Sequence, residues 1–320
     1  MPAVLSDLAP RVRGAVRLDE PLARRTTYRI GGPAAALVEP ADAADVIAAL
    51  AFAREAGLPW LVLGLGSNVL IRDAGFPGVV LVMGKAVADL ARDVGGEVGV
   101  WRAGGGLPTP LLARRSAAAG LGGVHRLVGV PGTVGGGVYM NAGAHGQEFR
   151  DVVRAVELIT EDGRVEQRAG EQIDWRYRTS NLGRVVVLAA TVALTPENPK
   201  RLDAEVREHF RWRKEGTPFN EPCCGSVFRN PAAPVPAQGS GGGEGEGELR
   251  TAGQWIDAAG LKGFRIGGAQ VSSMHANYIV NTGDASADDV LRVIDAVRAQ
   301  VAERFGVELE LEVKIIGGER

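Results

Sequence analysis

The stretch Gly129-Val-Pro-Gly-Thr-Val-Gly-Gly-Gly-Val-Tyr-Met-Asn-Ala-Gly-Ala144 sets the tightest limit on how this chain folds. Five glycines and one proline precede Tyr139, and nothing among them is larger than valine. Glycine adopts backbone angles closed to other residues and lets other groups come up against bare backbone. A tight structural crossover needs fewer glycines, so the stretch reads as a loop with room for a large planar or pyrophosphate-bearing ligand. A second glycine pair, in Leu63-Gly-Leu-Gly-Ser-Asn-Val69, directly follows a buried strand predicted at Trp60–Leu63. Its backbone N–H groups can approach a phosphate, and Ser67 and Asn68 add side-chain donors. It lacks the third glycine of the dinucleotide fingerprint, and an ordinary left-handed turn explains it equally well. Together the two segments suggest one dinucleotide gripped by two glycine-rich loops.

Composition narrows the class. A chain of 320 residues forms two domains, or a tightly joined set of three, and buries a full core without disulfides or metal. Glycine, at 45 residues, runs about twice its usual share and is spread along the chain. A net charge of −2 leaves no footprint for nucleic acid or an anionic membrane, and 5 % aromatics argue against a base-stacking platform. Cys223 and Cys224 are sequence neighbours, able to bridge only through a strained ring, so they read as reduced thiols in a reducing compartment. Met1 to Glu20 holds no apolar run of signal-peptide length, and Val185–Leu194 is too short to span a bilayer. A cytoplasmic location without membrane insertion is expected. The sequence does not specify an oligomeric state, and a monomer is the default. The motifs of P-loop nucleotide hydrolases, zinc proteases and serine hydrolases are missing, and the four histidines lack metal-site spacing.

Periodicity predicts an α+β chain. Asp42 caps a helix carrying Val46, Ile47, Leu50 and Ala51 on one face and stopped by Gly57. Pro108 and Gly120 bracket a second helix. Val79–Val82, Val152–Ile159, Val165–Arg168 and Val185–Leu194 read as strands, with an Asp162-Gly163 hairpin turn. Beyond Pro196, helical spacing links Leu202, Val206 and Phe210, a short helix covers Ala252 to Ala259, and Ser286 opens a long helix with a Val290, Ile294, Val297, Val301 stripe. Val307 to Ile315 alternates apolar and charged residues as a closing strand. Ala232 to Glu248 is too poor in apolar residues to order itself and reads as a disordered surface insert.

Three further features carry candidate chemistry, each with an ordinary explanation beside it. Arg178, in Tyr177-Arg-Thr-Ser-Asn181, suits two-pronged binding of a carboxylate, although a surface salt bridge is the commoner fate of an arginine. Gly225 lets Ser226 sit in a cramped turn with its hydroxyl presented to a cavity; a helix cap or serine turn is equally open. Glu312 lies on a charged strand face, which pattern alone makes a solvated one.

In chain order the motifs resemble the MurB family. The resemblance rests on Thr26-Thr-Tyr-Arg-Ile-Gly-Gly32, Gly64–Asn68, Val130-Pro-Gly-Thr-Val-Gly135, Met140-Asn-Ala-Gly143 and Tyr177-Arg-Thr-Ser180. It continues through Gly225-Ser-Val-Phe-Arg-Asn-Pro231, Ala258-Ala-Gly-Leu-Lys-Gly263, His275-Ala-Asn-Tyr-Ile-Val-Asn281 and Leu309-Glu-Leu-Glu-Val313. It covers nearly the whole chain from Arg24 onward, and the later motifs look like the family's shorter, type II form.

The resemblance implies a two-part FAD-binding region of the PCMH/vanillyl-alcohol-oxidase type plus a smaller α+β substrate-binding domain. The expected bounds are 1–66 and 67–198 for the two flavin subdomains, with 307–320 possibly returning to the first, and 199–306 for the substrate domain. FAD would be held non-covalently and NADPH would be the reductant. The reaction implied is reduction of the enolpyruvyl group of UDP-N-acetylglucosamine enolpyruvate to UDP-N-acetylmuramate. Cofactor contacts fall on Gly64, Gly66, Ser67, Asn68, Pro131, Gly132, Thr133, Gly135, Gly136, Asn141 and Ala142. Substrate contacts fall on Tyr177, Asn230 and His275. Arg178 would pair with the substrate carboxylate, Ser226 would donate a proton to carbon, and Glu312 would assist in protonated form. Two stretches depart from the family pattern, the insert after Pro231 and Gly216-Thr-Pro218. Rival readings are an oxidase of the same flavin fold, a non-catalytic nucleotide-sugar binder and a Rossmann dehydrogenase; the last fails on the incomplete fingerprint.

Overall fold

A computed structural model describes residues 5–231 and 251–318, so the insert expected at Ala232–Glu248 lies outside the described residues. The chain divides into two compact units. The first takes its described residues from Met1–Glu20, Ala34–Leu65 and Pro77–Arg213, and the second from Pro21–Pro33, Gly66–Phe76 and Lys214–Arg320. No helix among the described residues is long and apolar enough to cross a membrane.

The first unit is built on two sheets. One has the order Ala15–Pro21, Pro33–Glu39, Phe76–Val82, Trp60–Leu63, the last two parallel with Trp60 opposite Val79. Helix α1 (Ala43–Glu55) buries Val46 and Leu50 in one core with Val38, Val79 and Leu81. Asp42 caps it by accepting from the Asp45 N–H at 3.1 Å. Asp45 is itself buried and accepts from the backbone N–H groups of Arg13, Gly14 and Ala41. Burial pushes its carboxyl upward, yet these donors hold it below the usual carboxylate range.

The second sheet is antiparallel, in the order Val165–Ala169, Val153–Thr160, Val185–Ala193, Val100–Gly104, Leu90–Ala91. Its central strand reads as a nearly unbroken apolar run because both faces are covered. Val186 and Leu188 join the core around α1, while Val187, Ala190 and Val192 join a second core with Trp101 and Phe149. Asp162-Gly163 makes the expected turn, with Ile159 opposite Val165 and Gly163 at φ +86°. Helices α2 (Thr109–Ala118) and α4 (Pro199–Gly216) share a small core of Ala113, Ala117, Leu202 and Val206.

The glycine-rich stretch is not wholly a loop. Thr133 caps a short helix, α3 (Val134–Tyr139), by accepting from the Gly136 N–H at 3.3 Å. Two of its glycines serve packing. A Cβ on Gly137 would stand 2.3 Å from the Phe149 ring, and one on Gly135 would stand 3.0 Å from the Gly105 carbonyl. Valine at either position would push the helix off its neighbours.

The second unit has its core around Trp255, Phe228, Val290, Ile294 and Val301, covered by a three-stranded antiparallel sheet (Arg265–Ile266, Ala269–Val271, Ile279–Asn281). Helices α5 (Ala252–Ala258) and α6 (Ala287–Phe305) open with capping boxes, Thr251 with Gln254 and Ser286 with Asp289. The Asp73 carboxylate also receives the Ala287 and Asp288 N–H groups at the α6 N-terminus, where a negative charge complements the helix dipole. Gly306, at φ +68°, ends the helix.

The closing strand differs from its expectation. Burial alternates from Val307 to Leu309, but regular strand is confined to Lys314–Ile316. The extended chain first bonds Val227 and Arg229, through Arg229 N–H to Glu310 O and Glu312 N–H to Val227 O, then moves to a parallel ladder with Val69–Ile71. A change of partner interrupts the ladder where the pattern alone suggested one strand.

Candidate active site

Arg178 occupies the second position of a two-residue turn between Trp175–Arg176 and Thr179–Ser180. Its φ is +58°, a left-handed conformation that costs a side-chain-bearing residue about 1–2 kcal/mol. Strain of this kind persists only where its surroundings enforce it, and it gathers at functional sites. The side chain is 20 % exposed. Its Nη2 donates to the Gly143 carbonyl at 3.1 Å, its Nη1 lies 3.9 Å from Glu148 Oε1, and its Cζ stacks 4.6 Å from the Tyr177 ring centre. The anticipated alternative, a plain surface ion pair, does not describe a group held by a carbonyl, a carboxylate and an aromatic face together.

Behind it, Asn141 is fully buried at φ +43°. Its Nδ2 donates to Glu148 Oε2 at 2.9 Å and to the Arg176 carbonyl at 3.1 Å, and its Oδ1 accepts from the Arg150 N–H. The side chain expected to meet a cofactor is thus engaged in bracing the Arg178 hairpin. The Ala142 N–H and carbonyl are likewise bonded, to Gly137 O and Phe149 N–H.

The α3 N-terminus is not an open anion site. The Val134 and Gly135 N–H groups donate to the Leu107 and Gly105 carbonyls at 2.8 Å, and Gly136 N–H to Thr133 Oγ1. What this segment offers a ligand is a side-chain-free surface. Pro131 and Gly136 are exposed, and nothing approaches a Cβ built on Gly136 nearer than Thr133 Oγ1 at 3.7 Å. Gly64 belongs to the same surface, since its Cβ would stand 2.5 Å from Thr133 Oγ1. The two glycine-rich loops do meet within the first unit, at Gly64 and Thr133. A large planar cofactor fits against such a bare strip.

The rest of the first glycine loop belongs to the second unit. Gly66 stands at φ +61° with the Arg25 carbonyl 2.3 Å from any Cβ, and its carbonyl accepts from the Thr27 N–H. Asn68 Nδ2 donates to the Glu312 carbonyl at 3.3 Å, and its own carbonyl accepts from the Lys314 N–H.

Ser226 follows Gly225, whose φ of +80° and open Cβ direction show that glycine serves the turn and not a tight packing contact. Ser226 is half-buried, outside any helix, and its hydroxyl makes no hydrogen bond among the described residues. The helix-cap and serine-turn alternatives therefore fall away. The strand that follows is held on both sides by backbone bonds. Asn277 accepts from Val227 N–H through its carbonyl and from Phe228 N–H through Oδ1, and returns Nδ2 to the Phe228 carbonyl at 2.8 Å. On the opposite side Glu312 N–H reaches Val227 O at 2.8 Å. Glu312 is half-buried whereas Glu308 and Glu310 are exposed, because the backbone changes partner just beyond it.

Asn230 and His275 have local structural work. Asn230 Oδ1 accepts from the Ala252 N–H at the start of α5, and His275 Nδ1 accepts from the Asn277 N–H. Cys223 and Cys224 form no disulfide among the described residues. Burial, and then the neighbouring Cys223, push the Cys224 thiol far above its ordinary range, so it is inert as a thiolate. Sequence reasoning passed over Glu148 and Asn277. The one available signal for Glu148 was His145-Gly146, a tight-turn pair at φ +52° and +77° that folds Glu148 back opposite Gly143.

Comparison with known proteins agrees with this geometry. Residues 217–316 match the family described as UDP-N-acetylenolpyruvoylglucosamine reductase, C-terminal domain, and residues 34–168 match the FAD binding domain family. The chain is 42 % identical over 307 residues to the UDP-N-acetylenolpyruvoylglucosamine reductase of Heliobacterium modesticaldum, covering 95 % of this chain and 92 % of that one. It is 38 % identical to the enzyme of that name from Bacillus subtilis over the full length of both. The crystal structure of MurB from Thermus caldophilus superposes with a TM-score of 0.73 at 32 % identity, covering 95 % of this chain and 99 % of that one. The fold is therefore α+β, an FAD-binding region followed by the C-terminal domain of this family. From its FAD-binding segment to its C-terminal domain, the chain belongs to the UDP-N-acetylenolpyruvoylglucosamine reductase family of oxidoreductases.

Proposed function

We propose that this protein is the cytoplasmic, NADPH-dependent enzyme that reduces UDP-N-acetylglucosamine enolpyruvate to UDP-N-acetylmuramate for peptidoglycan synthesis. The observation that carries the reading is Arg178, an arginine in a left-handed turn with its guanidinium held along one edge by Gly143 and Glu148. Bound FAD would supply the two-electron hydride chemistry that reduces the enolpyruvyl ether. Gly64, Pro131, Gly132, Thr133, Gly135 and Gly136 would hold it through bare backbone, with Gly66, Ser67 and Asn68 completing the first glycine loop.

The protein's own residues act on the charge that hydride addition creates. Negative charge builds on the carbon bearing the carboxylate, and Arg178 pairs with that carboxylate by charge-assisted hydrogen bonds that strengthen as charge grows. Ser226 transfers its hydroxyl proton to that carbon, completing addition of one hydride and one proton across the double bond, and is then reprotonated. Glu312, in its protonated form, donates at the substrate carboxylate. Tyr177 covers the guanidinium on its aromatic face.

The test follows the colour of the purified protein. A flavin spectrum should bleach under anaerobic NADPH and return when the enolpyruvyl sugar nucleotide is added. A colourless protein that takes up no FAD, or a bleached one that the substrate leaves bleached, overturns the reading.

A further inference from the structure

We propose that Glu148 is a positioning residue that sets the orientation of Arg178, with Asn141 and Arg150 holding it in place; this rests on the reading of Arg178 as the carboxylate-binding group. The two oxygens of the Glu148 carboxylate are divided between two tasks. Oε2 receives Asn141 Nδ2 at 2.9 Å and lies 2.9 Å from Arg150 Nε, which fixes the carboxylate from behind. Oε1 faces Arg178 Nη1 at 3.9 Å. The same segment supplies the Gly143 carbonyl to Arg178 Nη2, because Gly143 pairs with Glu148 across the His145-Gly146 turn. Glycine is required at 143, since a Cβ there would stand 2.6 Å from Glu148 Cγ and 3.3 Å from Arg178 Nη1.

Asn141 links the pieces. It is fully buried and ties Glu148, the Arg176 carbonyl on the Arg178 hairpin and the Arg150 N–H into one unit. An arginine side chain carries substantial rotamer entropy. Here part of that freedom is removed on folding, so less is lost when a carboxylate arrives. The arrangement also has a directional consequence. A carboxylate along one edge of the guanidinium confines an incoming anion to the remainder of the group and repels any approach along the Glu148 side.

Stopped-flow measurement of the two half-reactions tests this, using FAD-loaded Glu148→Gln, Arg178→Ala and the double variant, with product affinity measured by calorimetry. Glu148→Gln should leave flavin reduction by NADPH unchanged, slow reoxidation by the enolpyruvyl substrate about tenfold and weaken UDP-N-acetylmuramate binding in parallel. In the Arg178→Ala background the same substitution should have no further effect. Arg150→Ala, at a half-exposed side chain, should move reoxidation in the same direction by a smaller factor, and it serves if Glu148→Gln fails to fold. Full reoxidation in Glu148→Gln, or an equal loss with and without Arg178, overturns the proposal. Parent-rate reoxidation in Arg178→Ala itself would instead remove Arg178 from its role and take the proposal with it.

Discussion

Arg178 in the first unit and Ser226 in the second are supported in opposite ways. Arg178 is held by side chains, a carboxylate that is in turn held by an amide and a second guanidinium. Ser226 is placed mainly by the backbone, through a glycine at φ +80° and a following segment bonded on one side by the carbonyl and side-chain amide of Asn277 and on the other by the 310–313 segment. Polar side-chain scaffolds fix the direction of a charge but respond to protonation and to single substitutions. Backbone scaffolds respond to neither unless the chain itself is strained. On the proposed mechanism, the group that would meet a growing negative charge has the first kind of support, and the hydroxyl that would deliver one proton has the second.

The largest expected effect removes the hydroxyl and leaves its scaffold whole. Ser226→Ala should keep FAD, accept hydride from NADPH at the parent rate and lose reoxidation by orders of magnitude, with an unchanged thermal midpoint; rapid reoxidation would strike Ser226 from the mechanism. Next comes Arg178→Ala, expected to slow the same half-reaction by roughly 2.7–4 kcal/mol, by analogy with loss of an oxyanion donor. Gly225→Ala attacks the backbone scaffold instead. A left-handed alanine should cost about 1–2 kcal/mol and lower the melting temperature while slowing proton delivery. An unshifted melting curve would mean that the turn does not need its glycine.

The smallest effect distinguishes the units by pH. In the first unit His145 and His209 stack at 4.0 Å, and both are held below the ordinary histidine range, chiefly by burial and then by Arg126 for His145 and by His145 itself for His209. The unfolded chain therefore binds protons that the folded one refuses, and stability should fall as pH drops below about 6.5. Glu205 adds a second, lower window. Hydrogen bonding from Arg201 is the main cause, with further bonds from His125 and Arg126, that brings its carboxyl to about 2. That contribution is complete above about 4.5 and is lost as pH falls toward 2. His209→Ala should flatten the first window and Glu205→Gln the second in acid titrations of unfolding. Unchanged profiles would detach these groups from acid sensitivity.

Much of this was legible in the sequence because local signals and packing agreed. Asp42 and Ser286 announce helix starts that bonds from the Asp45 and Asp289 N–H groups complete. The Val185–Leu194 run announced a strand, which the structure covers on both faces. Legibility failed where a role depends on a distant partner. Glu312 looked like one more solvated carboxylate, and only the change of strand partner at 313–314 distinguishes it from Glu310. Asn141 was expected at the cofactor and Glu148 was passed over; the bond from Asn141 to the Arg176 carbonyl spans 35 residues of chain. The 129–144 stretch suggested ligand space, whereas Gly135 and Gly137 within it also sit where Gly105 and Phe149 stand too close for a side chain.

The strand Val185–Ala193 contributes alternate residues to both cores of the first unit. Neither layer can melt while the other persists, since freeing either face of that strand exposes valines of both. Its amides should be among the last in the unit to exchange with deuterated solvent, and the arginine scaffold and the bare glycine surface should lose their order in one cooperative step.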